Sequence, residues 1–425
     1  MKIAIITPLP PQHTGIADYA ADLIAGLSNN PELDLTLISN AGIERFHTCP
    51  VHSPADITDA EYRAFDLIIY QVGNSCEFHG YMLDLLKKFG GILHLHDIVL
   101  HNLFAALFIE TNRPDDYFRI IQHHYGTKTL EHIKHELSCH RYPWESPAVI
   151  DMPLFEEFVR HCDGCIVHSD FAKNRIHAAF PDLDIYKIKQ VLAMDIHPPA
   201  GADNDILRFG IFGGVDPHKK TDVVLKVLNT IKTEHPDIPF LLTISGKISS
   251  PARTSLDSHL DGVLKNCVRI TGRVDQKTFL EYLAETDILI ALRYPTMGET
   301  SGVVMRALQL GIPCIVNDTG WFSELPDHVM KIPVVNMEEA LKSTLLNICE
   351  REKLTRLKEQ ALAYSREKLD FTETVRKYSD IIHTAHSNTQ NSTVYHQLAL
   401  TMNDLTYTES PEAFSTAVEK LMDVF

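Results

Sequence analysis

The feature that most constrains this chain is an alternation of short apolar runs with amphipathic segments, which occurs once in each half. In the first half "KIAIIT", "LDLTLIS", "FDLIIYQV", "GGILHLHD" and "DGCIVHS" read as buried strands, and "ADYAADLIAGLS", "HGYMLDLLKKF" and "SDFAKNRIHAAF" as helices. Runs this short between helix-length periodic segments specify βαβ units, hence a parallel sheet with helices on both faces. A Pro-, Gly- and Asp-containing stretch at 196–206, "IHPPAGADNDI", reads as a linker. The pattern then restarts with strand "RFGIFGG", helix "TDVVLKVLNTIKTE" and strands "PFLLTISGK" and "VRITGRV". Helix "QKTFLEYLAET", strands "DILIALR", "PCIVND" and "VMKIP", and one long polar helix from "NMEEALKST" to "SREK" complete it.

The fold class that follows is α/β, with two Rossmann-like, doubly wound parallel-sheet domains facing across a cleft. The first is predicted over 1–195, with a His- and acid-rich helical insertion at about 113–160, and the second over 207–370. Residues 371–386 are predicted to return toward the first domain, and 387–425 to form a helical extension opening with a Ser/Asn/Thr linker. A length of 425 residues, more than one ordinary core supports, agrees with two domains.

With 44% hydrophobic and 22% charged residues the chain is globular, and its formal net charge of −17 argues against nucleic acid as a partner. An anionic ligand must therefore meet a local cluster of Lys, Arg and backbone N–H groups. The eight cysteines sit mostly alone in apolar surroundings, as reduced thiols do. Cys162 and Cys165 form one CxxC with no second pair to complete a zinc site. The run "MKIAIITPLP" is too short for a secretory h-region, and no apolar stretch approaches the ~20 residues of a membrane span. The expectation is a soluble, cytoplasmic protein, with peripheral contact at the inner membrane face left open.

In open parallel sheets ligands bind beyond the carboxyl ends of the strands, and the unusual residues of this chain collect there. "TPLPPQHTGIADY" puts Gly15 at a strand–helix turn with Asp18 in the first helical turn; a tight turn alone would explain the glycine. The sequence lacks the GxGxxG fingerprint, so a nicotinamide cofactor is disfavoured. "LHLHDIVLHNLF" places His94 and His96 on one strand face, then Asp97, with His101 a helical turn further on. Such a group could pack, cap a helix, hydrogen-bond sugar hydroxyls or hold zinc, although no fourth zinc ligand is evident.

In the second half "FGGVDPHKKTD" offers Gly214 and Lys219, "SGKISS" Gly246 and Lys247, and "TGRVD" Arg273. "LRYPTMGETSG" adds Arg293, Glu299, Thr300, Ser301 and Gly302 at the mouth of a helix, where free N–H groups favour anions. Each alone could be a solvated turn. Small, basic or hydroxyl residues at several strand ends of one sheet together read as a cradle for a nucleoside diphosphate.

The blocks "PLPPQHTGIADY", "GIFGGVDPHKKTDVVL", "ITGRVDQKTFLEYLAETDILIALR" and "GETSGVVMRALQLGIPCIVNDTGWFSELP" resemble the retaining GT-B glycosyltransferases of family 4, over about residues 1–385. The resemblance implies metal-independent transfer of a sugar from a nucleoside-diphosphate sugar with retained anomeric configuration. It places Gly15 near the diphosphate and acceptor, His96 near the sugar's 6-hydroxyl, Lys219 on the diphosphate and Glu299 on sugar hydroxyls. Ser301 and Gly302 match the phosphate-binding helix start. Two departures stand out. The arginine usual five residues before the lysine is Gly214, for which Arg293 or Arg273 would compensate. The family's second glutamate, a ribose contact, falls at Arg306, and Glu299 lies one place later than strict alignment puts it.

On this reading Glu299, His96 and Lys219 are catalytic. Gly15, Gly214, Lys219, Arg293, Thr300, Ser301 and Gly302 bind the donor diphosphate. His96, Asp97, His101 and Asp18 meet the donor sugar or acceptor, and Gly246, Lys247 and Arg273 the nucleotide. No resident cofactor or metal is called for. The co-substrate is a nucleoside-diphosphate sugar, GDP-mannose as first guess and a UDP-sugar second. The expected activity is transfer of a hexose, mannose first, to a saccharide or lipid-linked saccharide in cell-surface polysaccharide synthesis. The alternatives are a sugar-nucleotide epimerase or hydrolase, a non-catalytic nucleotide-sugar-binding protein, and a metal hydrolase built on the His-rich insertion.

Overall fold

A computed structural model describes residues 1–194, 206–260 and 262–406. The first sheet has strands β1 (Lys2–Ile6), β2 (Asp34–Ile38), β3 (Arg45–Phe46), β4 (Cys49–His52), β5 (Leu67–Val72), β6 (Ile92–Leu95), β7 (Gly164–Val167) and β8 (Ile185–Lys187). Their spatial order is β3-β4-β2-β1-β5-β6-β7-β8, parallel except for the short β3–β4 pair. The second sheet holds β9 (Leu207–Phe212), β10 (Phe240–Ser245), β11 (Val268–Gly272), β12 (Ile288–Ala291), β13 (Cys314–Asn317) and β14 (Met330–Ile332). It is parallel throughout, in the order β11-β10-β9-β12-β13-β14. This is the two-domain α/β architecture expected from the alternation.

Each sheet is buried on both faces, which is why its strands read as nearly continuous apolar runs. Along β1, Ala4 and Ile6 enter one core cluster and Ile3 and Ile5 the other. Along β12, Ile288 and Ile290 face one layer and Leu289 the opposite one. In each sheet the order reverses next to the first strand, between β1 and β5 and between β9 and β12. These are the switch points beyond which α/β sheets bind ligands.

Three features depart from the sequence reading. The long polar helix is two, Met337–Ile348 and Arg351–Lys368, broken where Glu350 is extended. The break lets Leu341, Leu345 and Ile348 pack in one layer and Ala361 in the other, which a single straight rod would not do. The Ser/Asn/Thr stretch beginning at 387 lies inside a continuous helix, Phe371–Thr406, and is no linker there. Helix Ser250–His259, with β3, β4 and β8, was not anticipated. The 196–206 linker falls, apart from Ile206, outside the described residues, as do residues 407–425 of the extension.

The helix Phe371–Thr406 lies on the first domain. Val375 fills the space above Gly26, where a Cβ would come within 2.5 Å of it, and Asn30 donates to Ser379 at 2.9 Å. The insertion carries the helical segment Pro114–Ser138, interrupted at Gly126, whose φ of 81° is left-handed. Among the described residues no helix is long and apolar enough to cross a membrane.

Candidate active site between the two sheets

The loops after β1, β5 and β6 meet those after β9 and β12. Val99 donates its backbone N–H to the Met297 carbonyl at 2.9 Å, joining the two domains. Gly298 sits at this contact with φ +70°, and a Cβ there would lie 1.9 Å from Ile98 Cγ2, so no larger residue fits. Thr300 Oγ1 donates to Gln190 Oε1 at 2.7 Å, and Gln309 Nε2 to the Leu192 carbonyl at 2.8 Å. Glu324 accepts backbone N–H bonds from Asp170 and Phe171, capping a first-domain helix from the second domain.

Glu299 occupies the centre of this junction and is only 7% exposed. Its Oε2 accepts from Met297 N at 2.7 Å and Thr296 Oγ1 at 3.1 Å, which fixes the carboxylate, and its Oε1 lies 2.7 Å from Arg293 Nη1. Arg293 is positioned by its own N–H, which donates to Asn317 Oδ1 at 2.8 Å. Ser301 follows as N-cap of helix Gly302–Gln309, its Oγ accepting from Val304 N at 3.3 Å. A cap of this kind leaves a helix start with its dipole end toward the cleft.

Lys219 reaches the same place from the loop after β9. Its Nζ donates to the Phe212 carbonyl at 3.1 Å, and a small cavity beside it is lined by Arg293, Ser301 and Val303. Burial, with Arg293 alongside, lowers the Lys219 ammonium to about 7, against the weaker opposing pull of Asp216 and Glu299. The same causes push His218 down to about 4. From the first domain, Asp97 Oδ2 accepts from Asn74 N at 2.7 Å. Burial first, and the Glu299 charge second, raise its carboxyl to about 7. Two sheets therefore aim one lysine, one arginine and two carboxylates at one point.

Several buried donors here lack a hydrogen-bond partner: Arg293 Nε, Arg306 Nε and Nη2, and Asn317 Nδ2. Buried polar groups are nearly always paired, so their clustering marks where a polar ligand is received. Arg306 is 7% exposed. Burial raises the Asp18 carboxyl above its ordinary value, against the weaker opposing pull of Arg306, Arg273 and His13. Gly15 lies on the same side, exposed, and a Cβ there would meet nothing within 4 Å. The protein does not require glycine at 15; close approach of a ligand would.

Other residues singled out in the sequence sit differently. His101 is buried in the insertion's packing, its Nδ1 bonded to the Met152 carbonyl at 2.9 Å and its Nε2 to the Tyr117 hydroxyl, and so it does not reach the cleft. His96 has both nitrogens engaged, with Gln71 Oε1 at 3.3 Å and His168 Nε2 at 3.2 Å, and offers neither to a sugar as it stands. Gly246 answers to packing, since a Cβ there would sit 1.9 Å from the Gly213 carbonyl oxygen. Lys247 lies beyond the end of β10, where its carbonyl accepts from Val215 N. Gly214 is exposed with room around it. Thr300 spends its hydroxyl on Gln190. Thr296, Asn317, Gln190 and His218 were not foreseen. A His next to the basic pair at 219–220 was the one signal available for any of them.

Residues 206–351 match the family model described as glycosyl transferases, group 1. The match covers most of the second domain and none of the first. Three solved structures are similar over nearly the whole chain. The Anabaena protein HepE, solved with UDP and glucose, is 13% identical, with a TM-score of 0.62 over 90% of this chain and 100% of its own. A sucrose-phosphate synthase from Thermosynechococcus elongatus gives 14%, 0.61, 91% and 99%. WaaG, a glycosyltransferase of lipopolysaccharide biosynthesis, gives 12%, 0.58, 90% and 99%. These likenesses show the fold of the whole chain, the GT-B arrangement of two facing α/β domains. Among proteins with curated descriptions, none is similar enough in sequence to match.

Proposed function

We propose that this chain is a retaining glycosyltransferase that moves a hexose from a nucleoside-diphosphate sugar to a saccharide or lipid-linked saccharide acceptor. One observation carries the reading. The buried Arg293–Glu299 pair, with the Arg293 Nε–H still unpartnered, lies beside Lys219 and a Ser301-capped helix start and faces Asp97 from the other domain. Lys219, Arg293 and the helix start would take the diphosphate, stabilising the charge that develops as it leaves. Glu299, held by two donors, would accept from sugar hydroxyls. Asp97, with its carboxyl raised to about 7, would hold a proton there. In the same-face substitution proposed here, the acceptor oxygen bonds to the anomeric carbon as the bond to the phosphate breaks, and the departing phosphate oxygen takes the hydroxyl proton.

The base is proposed as uracil, since the Anabaena structures hold UDP with glucose or UDP-glucose, whereas GDP-mannose finds no support among them. With Arg306 where the family has a glutamate, the ribose would be met by a hydrogen-bond donor. The site would read sugar oxygens as acceptors there.

The test is incubation with labelled UDP- and GDP-hexoses, with and without saccharide and lipid-linked acceptors, followed by NMR of the product's anomeric centre. Acceptor-dependent transfer with unchanged configuration supports the proposal. Donor consumption without acceptor would point to a hydrolase or epimerase, and binding without turnover on any acceptor to a nucleotide-sugar sensor.

A further inference from the structure

In the first domain, next to Asp97 in sequence, His94 and His96 of the β6 end meet His168 at the end of β7. All three are buried, at 0%, 7% and 5% exposure. His94 Nε2 lies 3.2 Å from His168 Nε2, and His168 Nε2 lies 3.2 Å from His96 Nδ1. Among the described residues this is the one group of three ligating side chains, with ligand atoms all within 4.8 Å of one another. Zn–N bonds of roughly 2.0–2.1 Å at tetrahedral angles put neighbouring nitrogens roughly 3.3–3.4 Å apart. Both distances to His168 Nε2, 3.2 Å each, are close to that.

The outward nitrogens decide how the rings face. His168 Nδ1 is 3.0 Å from the Ile188 carbonyl oxygen, which only accepts, so the ring carries its proton there and turns a lone pair inward at Nε2. His96 Nε2 is 3.3 Å from Gln71 Oε1, which likewise turns its Nδ1 lone pair inward. His94 Nδ1 is 3.0 Å from the Tyr378 hydroxyl, on the returning helix. Ligating histidines characteristically give their second N–H to such outer partners. Two lone pairs facing each other at 3.2 Å repel unless a cation or a proton lies between them. Tyr19 roofs the group, its ring edge-on to all three imidazoles at 5.2–5.6 Å.

We propose that His94 Nε2, His96 Nδ1 and His168 Nε2 bind one zinc ion, which ties the end of β6 to the end of β7. Three neutral imidazoles in an enclosed setting suit zinc better than calcium or magnesium, which prefer oxygen ligands. Three protein ligands leave the fourth position of the tetrahedron for an exogenous donor. The ion lies one residue behind Asp97 and takes no part in binding the diphosphate, so this inference is independent of the donor and of turnover.

The test uses the tag-free full chain, loaded with zinc, passed through metal-free buffer and analysed by elemental mass spectrometry. The expected result is about one zinc per chain. Chelation should lower Tm by several degrees, and zinc should restore it. Cobalt should give the intense visible bands of a tetrahedral site. His168→Gln should lose both metal and bands, whereas His132→Ala/His135→Ala, on exposed insertion positions, should keep them. If His168→Gln does not fold, zinc content and the cobalt spectrum of the unaltered protein decide. The rival arrangement reverses the Gln71 amide, so that its NH₂ feeds His96 and His96 donates to His168. It predicts no retained metal, no tetrahedral cobalt spectrum and no Tm shift, and that result overturns the proposal. Metal retained by His168→Gln but lost from the double variant would overturn it equally.

Discussion

If Lys219 grips the donor diphosphate, binding must restore a charge that the empty site suppresses. The Lys219 ammonium is lowered from 10.5 to about 7 by burial and by Arg293. At pH 8 such a group is about one-tenth protonated, whereas one returned to its ordinary value by a diphosphate is almost wholly protonated. UDP or UDP-glucose should therefore bind with uptake of about 0.9 proton at pH 8, falling toward about half a proton at pH 7. His218 contributes little to that number: already lowered to about 4, it stays mostly neutral at pH 8 even at its ordinary 6.5. The part due to Asp97, at about 7, is separated by repeating the titration on Asp97→Asn. Isothermal titration calorimetry in buffers of different ionisation enthalpy measures the uptake as the slope of observed enthalpy on buffer enthalpy. Lys219→Met should remove the slope and weaken binding. A flat plot for the unaltered protein, or an equal slope in the variant, would refute the assignment of Lys219 to the diphosphate.

Glu299→Gln should lower turnover by about 10²–10³-fold, as loss of a preorganised transition-state contact does, with the far-UV circular dichroism spectrum unchanged. Near-normal turnover would remove Glu299 from the mechanism. Gly15→Val should leave urea stability within about 0.5 kcal/mol, because space around that position is open, while cutting donor or acceptor kcat/KM at least about tenfold. Equal losses of stability and activity would make the glycine merely structural. For Asp97 the folded value, about 7, exceeds the unfolded 3.8, so the native state binds the extra proton between them and stability falls as pH rises from about 4 to 7. That loss is at most about 4 kcal/mol. The difference in unfolding free energy between the unaltered protein and Asp97→Asn, measured at pH 5 and pH 8, should shrink or reverse with pH in that sense.

The strands were legible because both faces of each sheet are covered, leaving runs such as "LIIYQV" apolar end to end. Helix Thr221–Glu234 was readable for the complementary reason, an apolar stripe on Val224, Leu225, Leu228 and Ile231. What escaped was set by tertiary packing. The break at Glu350 depends on which layer each flanking leucine must reach, and nothing local marks it. At the site, the residues beyond strand ends on the second domain converged as their types implied for Lys219, Arg293, Glu299 and Ser301. The histidines did not follow their types. His101 was drawn into the insertion by Tyr117 and Met152, and His96 into a cluster completed by His168, a residue seventy-two positions further along the chain. Spacing along one strand could show that His94 and His96 share a face, but not which third group would meet them there.

The account rests on the diphosphate being held by the second domain while the sugar turns toward the first. A crystal structure with UDP-glucose bound tests this most directly. The predicted result is a diphosphate against Lys219, Arg293 and the helix start at Ser301, with sugar hydroxyls at Glu299 and Asp97. A donor bound away from these residues, or one whose phosphates face Asp97, would contradict it.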